Sequence, residues 1–298
     1  MSQIRSFVKK HDYACWCGQT TARIFCKQMF LGRQFVVCEC NGCNTQRILP
    51  KALYEQSSAQ VLYNEYDMPD YADAHQERFI ESMLKRFQET QIRLSPGEKI
   101  LDVGCGSGVL LESICGQFGC AGTGIDVDQR RIAKARARSK HANFKCELFD
   151  GAKIEEKCNA IFSIAVIEHV VDPPSLLKQF HSALTDDGSL FLLTPNARSL
   201  NYWLLRSWWR ELLSLGEHIY LFTPESLELC ANQAGFQLVK FSSDFDWGPL
   251  QFNTRNFRSM VISLWAIYCK SVKLFSSCFA SPQTGDILYA HFKKVKTG

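Results

Sequence analysis

The chain lacks an apolar run long enough to cross a bilayer. Its most apolar stretch, Met260 to Cys269, is interrupted by Lys270 and Lys273 and falls short of the roughly 20 residues that a span requires. An interfacial helix, or packing against another segment of the chain or another subunit, is left for it. A charge excess is also missing. With 34 Lys and Arg against 30 Asp and Glu, the formal net charge is +4, too little to imply a nucleic-acid partner. No internal repeat or low-complexity tract occurs, and no secretory apolar core follows Met-Ser-Gln-Ile-Arg. Together with 14 cysteines, that start predicts a reducing compartment, hence the cytoplasm, with peripheral membrane contact left open.

What is present is ample apolar material: 46% of 298 residues, enough for one large core and a small accessory module. Six of the 14 cysteines fall between Cys15 and Cys43. Cys15-Trp16-Cys17-Gly18 and Cys40-Asn41-Gly42-Cys43-Asn44 resemble the two knuckles of a zinc ribbon, each presenting two thiolates to one tetrahedral ion. Gly18 and Asn44 tolerate the left-handed backbone of such turns, and Phe35-Val36-Val37 reads as a strand entering the second knuckle. Cys15, Cys17, Cys40 and Cys43 are the expected ligands of one structural zinc. Cys26 and Cys38 are the substitutes, because the first pair is spaced one residue short. The alternative is a set of reduced, partly buried thiols without metal.

The segment Ile100 to Gly108, ILDVGCGSG, ends an apolar strand in Asp102 and follows it with three alternate glycines, a loop that lets backbone approach a ligand. Val109 stands where a dinucleotide fingerprint needs its third glycine, which argues against a nicotinamide or flavin loop. A second apolar run, Ala121 to Ile125, ends in Asp126, and Asp128 is placed to cap a helix opening at Gln129. A third strand, Asn143 to Leu148, stops at Phe149-Asp150-Gly151, where an aromatic face and a carboxylate can hold an adenine ring. A fourth, Ala160 to Ile164, runs into Val166-Ile167-Glu168-His169-Val170.

These residues in this order resemble a class I S-adenosylmethionine-dependent methyltransferase, in the branch whose fourth strand is followed by Ile/Leu-Glu-His-Val. The likeness continues through Ala183 to Leu190, Thr194-Pro195-Asn196, Glu217 to Pro224 and Ala234-Gly235-Phe236. It implies that Asp102, Gly104, Gly106 and Gly108 hold the methionine end of the cofactor, Asp126 the ribose and Asp150 the adenine, with Cys105, Val127, Gly151 and Ile164 in the same site. Asn159 and Ala165 depart from the pattern, standing where relatives often carry an acid and a polar residue. Small ribbons precede the catalytic domain in some methyltransferases that modify sugars or cell-surface building blocks, and Pro50 followed by Leu53-Tyr54 fits that arrangement.

The resemblance implies an α/β fold: a Rossmann-like seven-stranded sheet with helices on both faces, plus the small N-terminal module. The expected boundaries are 10–50 for the ribbon, 51–95 for a connecting helical segment and 96–298 for the cofactor-binding domain, with lid insertions at 197–217 and 245–285. Residues 75–94 read as an amphipathic helix over the sheet edge through Phe79, Ile80, Met83, Leu84 and Phe87. Trp203, Trp208 and Trp209 place the first insertion as a roof on an acceptor pocket, since ligands of open α/β sheets sit beyond the carboxyl ends of strands. Arg130, Lys134 and Arg138, at i, i+4, i+8, read as a solvated helix face.

Methyl transfer to a hydroxyl needs an acceptor in line with the methyl and a base. His169 and His218 are the candidate bases, each of which can equally be a structural hydrogen-bonding residue; Glu168 is expected to fix its turn, and His181 reads as ordinary. The expected activity is methyl transfer to a small or carrier-linked acceptor, at oxygen of a sugar or polyphenol-like group. C-methylation of a sugar and a noncatalytic, cofactor-binding scaffold are the alternatives. A nucleic-acid substrate is disfavoured because the Asn/Asp-Pro-Pro-aromatic segment of many base-amine methyltransferases is missing; Val171-Asp172-Pro173-Pro174 ends in Ser175.

Overall fold

The computed structural model describes residues 14–30, 33–49, 76–205, 209, 218–244 and 284–295. Trp208, the 51–75 connector and most of the 245–285 insertion, including Met260 to Cys269, lie outside them. Among the described residues no helix is long and apolar enough to cross a membrane.

Five β-rich runs form parallel strands: β4 (Lys99–Val103), β5 (Ala121–Asp126), β6 (Ala142–Cys146), β7 (Cys158–Ile164) and β8 (Leu184–Pro195). Two later strands, β10 (Phe236–Asp244) and β11 (Ile287–Lys294), complete the sheet, with β11 antiparallel to both β8 and β10. The order is β10-β11-β8-β7-β4-β5-β6. The expected seven-stranded Rossmann-like sheet is therefore present. Strand succession reverses between β4 and β7, and the crevice beyond their carboxyl ends is where such sheets receive ligands.

Helices close both faces because successive strand residues point to opposite sides. Ile100, Phe162 and Phe191 face α1 (Gln76–Glu89), α2 (Val109–Phe118) and α3 (Gln129–Arg138), while Leu101, Ile161, Leu190 and Leu192 face α4 (Pro173–Ala183) and α6 (Pro224–Gln233). Local chemistry sets the starts of these helices. The Asp128 carboxylate accepts the Arg130 and Arg131 amides, Asp172 accepts that of Ser175 ahead of Pro173-Pro174, and Thr223 forms a capping box with Ser226. Arg130 and Lys134 are exposed opposite buried Ile132 and Ala135, a solvated face as expected.

α1 corrects one expectation. It lies over the centre of the sheet and not its edge: Phe87 meets Phe162 of β7 at 5.2 Å and Phe191 of β8 at 4.9 Å. Buried Arg86 pins its far end, pairing with Glu89 and Asp244 and lying 5.3 Å over Tyr289. Amphipathic periodicity identifies a buried stripe but not what covers it.

The ribbon is a second sheet, of order β1-β2-β3-β9, built from β1 (Ala22–Phe30), β2 (Arg33–Cys40), β3 (Gln46–Leu49) and β9 (Tyr220–Leu221). Its fourth strand comes from the far side of the chain. Phe35, Val37 and Ile48 share one continuous core with Ile167, Leu190 and Phe222.

His291 of β11 is buried, with Nδ1 2.9 Å from the Thr90 carbonyl and Nε2 3.2 Å from Ser189 Oγ. Burial lowers its pKa below the ordinary 6.5. Below about pH 6.5 the unfolded chain takes up a proton that the native chain resists, so this contribution to stability is complete above that pH and is lost as the pH falls. In His291→Gln protein the decline in chemical-denaturation midpoint between pH 7 and 5 is expected to be shallower than in the parent.

Candidate cofactor and acceptor site

The loop after β4 is forced on the chain by sterics. Gly104, Gly106 and Gly108 all have positive φ. A Cβ on Gly104 would lie 2.3 Å from Val166 Cγ2, and one on Gly108 2.5 Å from Phe144. Gly108 is thereby the N-cap of α2, in the left-handed conformation and with no side-chain cap.

Two carboxylates border this loop and differ in their surroundings. Asp126 is satisfied by backbone: its Oδ2 accepts the Gly106 amide at 2.9 Å and its Oδ1 the Asp128 amide at 2.8 Å. Asp102 is 3% exposed, and its Oδ1 has no hydrogen-bond partner among the described residues. Burial, with Asp126 as a second negative charge, pushes its pKa up to about 7. A buried acceptor without a donor is costly, and a ligand ammonium supplies both donor and charge. The glycine cradle and Asp102 thus suit the amino-acid end of S-adenosylmethionine. Cys105 is buried beside them, Val127 is half-buried after β5, and Ile164 is half-buried at the end of β7.

The adenine end differs from expectation. Phe149 turns into the core, 5.3 Å from Phe180, so its face offers no platform. Gly151 is buried and gives its amide to Gln179 Oε1 at 3.1 Å, packing on α4 and not toward a ligand. Asp150 caps the 3-10 turn Gly151–Lys153 through the Ala152 amide and keeps its carboxylate half-exposed. Leu148, 78% exposed, takes the outward position that Phe149 was expected to hold.

Beyond β7 the chain makes a strained turn. Ala165 has φ +53° and donates its amide to the Leu193 carbonyl at 3.0 Å, a conformation that costs a non-glycine residue energy and concentrates at functional sites. A 3-10 turn, Ile167–His169, then buries Glu168 and half-exposes His169. The two candidate histidines meet here across 49 residues of chain: the rings of His169 and buried His218 are 5.0 Å apart. With Glu168 they bring three donor atoms within 4.8 Å of one another.

The four expected zinc ligands also converge. The sulfurs of Cys15, Cys17, Cys40 and Cys43 all lie within 4.8 Å of one another, with Cys15 to Cys43 at 3.5 Å and Cys17 to Cys40 at 3.6 Å. Gly18 (φ +87°) and Asn44 (φ +60°) turn the knuckles. A hydrogen bond from Cys15 draws the Cys43 pKa down to about 5 and pushes that of Cys15 up, so one proton is shared between them. Cys26 and Cys38 stand outside this group, their pKa values raised to about 11 by burial.

Sequence reasoning missed the polar centre under the first insertion. Buried Asp286 accepts from Asn201 Nδ2 at 2.6 Å and Trp209 Nε1 at 2.9 Å, and its carbonyl takes the Asn196 amide at 2.7 Å. It ties α5 (Leu200–Leu205) to the start of β11. A Gly-Asp pair before a strand reads as a solvated turn, so no sequence signal marked it.

The methyltransferase-domain family matches residues 72–240. A ubiquinone biosynthesis O-methyltransferase of Glaesserella parasuis serovar 5 is 31% identical over 176 residues, 54% of this chain and 72% of that protein. One of the same name from Idiomarina loihiensis is 34% identical over 143 residues, 43% of this chain and 52% of that protein. The crystal structure of plantazolicin methyltransferase BamL, in complex with a desmethyl substrate analog and S-adenosylhomocysteine, shares the fold at a TM-score of 0.53 and 16% identity, covering 82% of this chain and 96% of that one. With the glycine loop, the strand order and a family match over more than half its length, the chain belongs to the methyltransferase-domain family and is an S-adenosylmethionine-dependent methyltransferase.

Proposed function

We propose that the protein methylates an oxygen of a small or carrier-linked acceptor, a phenol-like or sugar hydroxyl. The observation that carries the reading is the meeting of His169 and His218 at the carboxyl end of β7, beside a loop bordered by buried Asp102, whose Oδ1 has no hydrogen-bond partner among the described residues. The names of the O-methyltransferase relatives agree with oxygen.

When bound, S-adenosylmethionine supplies a sulfonium methyl that passes to the acceptor oxygen and leaves S-adenosylhomocysteine. Asp102 would receive the ammonium, the side-chain-free Gly104 to Gly108 loop would give the methionine end room against its backbone, and Asp126, aligned by two backbone N–H groups, would accept the ribose hydroxyls. Asp150 is left for the adenine amine. The His169–His218 pair takes the acceptor's hydroxyl proton, with buried Glu168 beside it to favour the cationic ring. The four cysteines hold one structural zinc, whose closed thiolate set leaves no position for chemistry.

Calorimetric titration with S-adenosylhomocysteine tests the cofactor half. Asp126→Ala is expected to cost about 1.5–3 kcal/mol, the range for hydrogen bonds to a charged group. Because Asp102 must be ionised to meet an ammonium, parent affinity is expected to fall as the pH drops through about 7, and Asp102→Asn to bind weakly with that pH dependence lost. Unchanged affinity in both variants removes these roles.

The acceptor half is tested by screening quinone precursors and nucleotide sugars for S-adenosylhomocysteine release. With an acceptor in hand, His169→Gln or His218→Gln is expected to lower turnover roughly 100- to 10,000-fold while cofactor affinity holds. The assay is run with magnesium and with a chelator, since Glu168, His169 and His218 also make a set able to hold a cation. Turnover that requires the added cation reassigns both histidines as ligands. Near-parental turnover in both variants removes them from the mechanism.

Metal analysis of protein purified without added zinc is expected to find about one equivalent per chain. Cys40→Ser and Cys43→Ser are expected to lose it and to expose the N-terminal module to protease.

A further inference from the structure

The ribbon is not a bead on a tether. Its third strand begins three residues after Cys43 and pairs with β9 in the register Gln46 to Leu221 and Arg47 to Tyr220. The Ile48 amide donates to the Ile219 carbonyl at 3.0 Å, and the Ile219 amide donates to the Glu168 carbonyl at 2.8 Å. The backbone of Ile219, the residue after His218, is thus held by the ribbon through its carbonyl and by the His169 turn through its amide.

Side chains repeat the link twice. Arg47, 4% exposed, gives Nη1 to the Ala14 carbonyl next to Cys15 and lies 5.5 Å over the Tyr220 ring. The Tyr220 hydroxyl donates to the Val171 carbonyl at 3.3 Å, two residues beyond His169. Further along, Gln46 Nε2 donates to the Tyr202 hydroxyl of α5, and Phe25 stacks on the same ring at 5.0 Å. Tyr202 meets Trp209 edge-on at 5.2 Å, and Trp209 reaches Asp286. Both candidate bases and the described part of the roof therefore rest on the ribbon. The Gly104 to Gly108 loop packs on Phe144, on α3 and on Val166, which opens the His169 turn.

We propose that the ribbon is the fixed wall of the acceptor site, with Arg47 and Gln46 as positioning residues, and that metal loading of the four cysteines sets the order of the acceptor half without changing the cofactor half. Arg47 holds Tyr220 and through it the backbone on which His218 stands; Gln46 holds Tyr202. A segment of this size has too little core of its own, so a bound ion would supply much of the free energy that keeps β3 straight under β9. The metal arm rests on the zinc reading above, and calling the supported face the acceptor site rests on the proposed function; the support itself rests on the contacts alone.

The test uses the full chain, with hydrogen exchange of residues 219–222 and 200–205, the imidazole NMR signals of His169 and His218, and S-adenosylhomocysteine affinity. Stripping zinc with a chelator is expected to speed exchange in both segments by about tenfold or more and to shift both imidazole signals, reversibly on adding zinc, with cofactor affinity held within about twofold. Zinc-loaded Arg47→Met is expected to do the same at 219–222, and Arg47→Lys, which keeps a cation over Tyr220, to restore most of the parental pattern. Gln46→Ala reports on 200–205 independently should Arg47→Met fail to fold. If the folded variants leave exchange and imidazole signals as in the parent, the wall is overturned. Should purified protein carry no zinc, the four-cysteine reading and the metal arm fail, and the Arg47 and Gln46 variants still decide the wall.

Discussion

The backbone of Ile219, the residue after His218, is where the two sheets of this protein become one structure. It carries a hydrogen bond to β3 and another to the turn after β7, and a β-strand only two residues long, β9, closes the ribbon sheet. A strand that short has no stability of its own. It exists because Leu221 and Phe222 are fully buried in the core that also takes Phe35, Val37 and Ile48. Burial of that apolar surface, at roughly 25 cal/mol per Å², fixes the register, and the register puts His218 against His169.

What could be read in the sequence follows the kind of constraint each residue obeys. The glycine loop was legible because positive φ at alternate positions and a 2.3 Å clash with Val166 leave no other residue type. The four cysteines were legible because ligand pairs sit at fixed local spacing. Phe149 was not, since the pleat sets alternation within β6 but says nothing once the strand has ended at Cys146 and the chain turns. The position of α1 over β7 and β8, the pairing of β3 with β9 and the Asp286 centre all depend on partners distant in sequence, and no local period encodes them. Both histidines could be singled out, but not their approach to 5.0 Å.

Electrostatics divides the site into two halves with different demands. Asp126 directs its two oxygens at two amides of its own loops, which orient it without a ligand. Asp102 is buried near a like charge and its carboxylate lacks a donor, so a cation arriving there is rewarded by relief of an existing penalty. A neutral donor would satisfy the Asp102 oxygen without offsetting its charge, and only a cationic donor does both. The pair thus favours a ligand with an ammonium at one end and a diol further along, the charge pattern of the cofactor itself, and it does so before any acceptor contact is made.

The acceptor half is built on the opposite principle. Its polar groups are set by other polar groups and not by burial alone: Asn201 and Trp209 converge on Asp286, Gln46 on Tyr202, and Arg47 on Ala14 and Tyr220. Such networks specify one arrangement when complete and are costly when a member is lost. Asn196 shows the same logic, its side chain bridging the Gly285 carbonyl and the Arg198 amide while its backbone pairs with Phe222. The cofactor half can therefore form from the sheet and its glycine loop, whereas the acceptor half requires the ribbon, the first insertion and the start of β11 to arrive together. In the proposed reading, the surface that meets the acceptor is for that reason the part of the fold most dependent on contacts between distant segments, and a change at Cys43 or Asp286 would reach the two histidines through the ribbon or the first insertion.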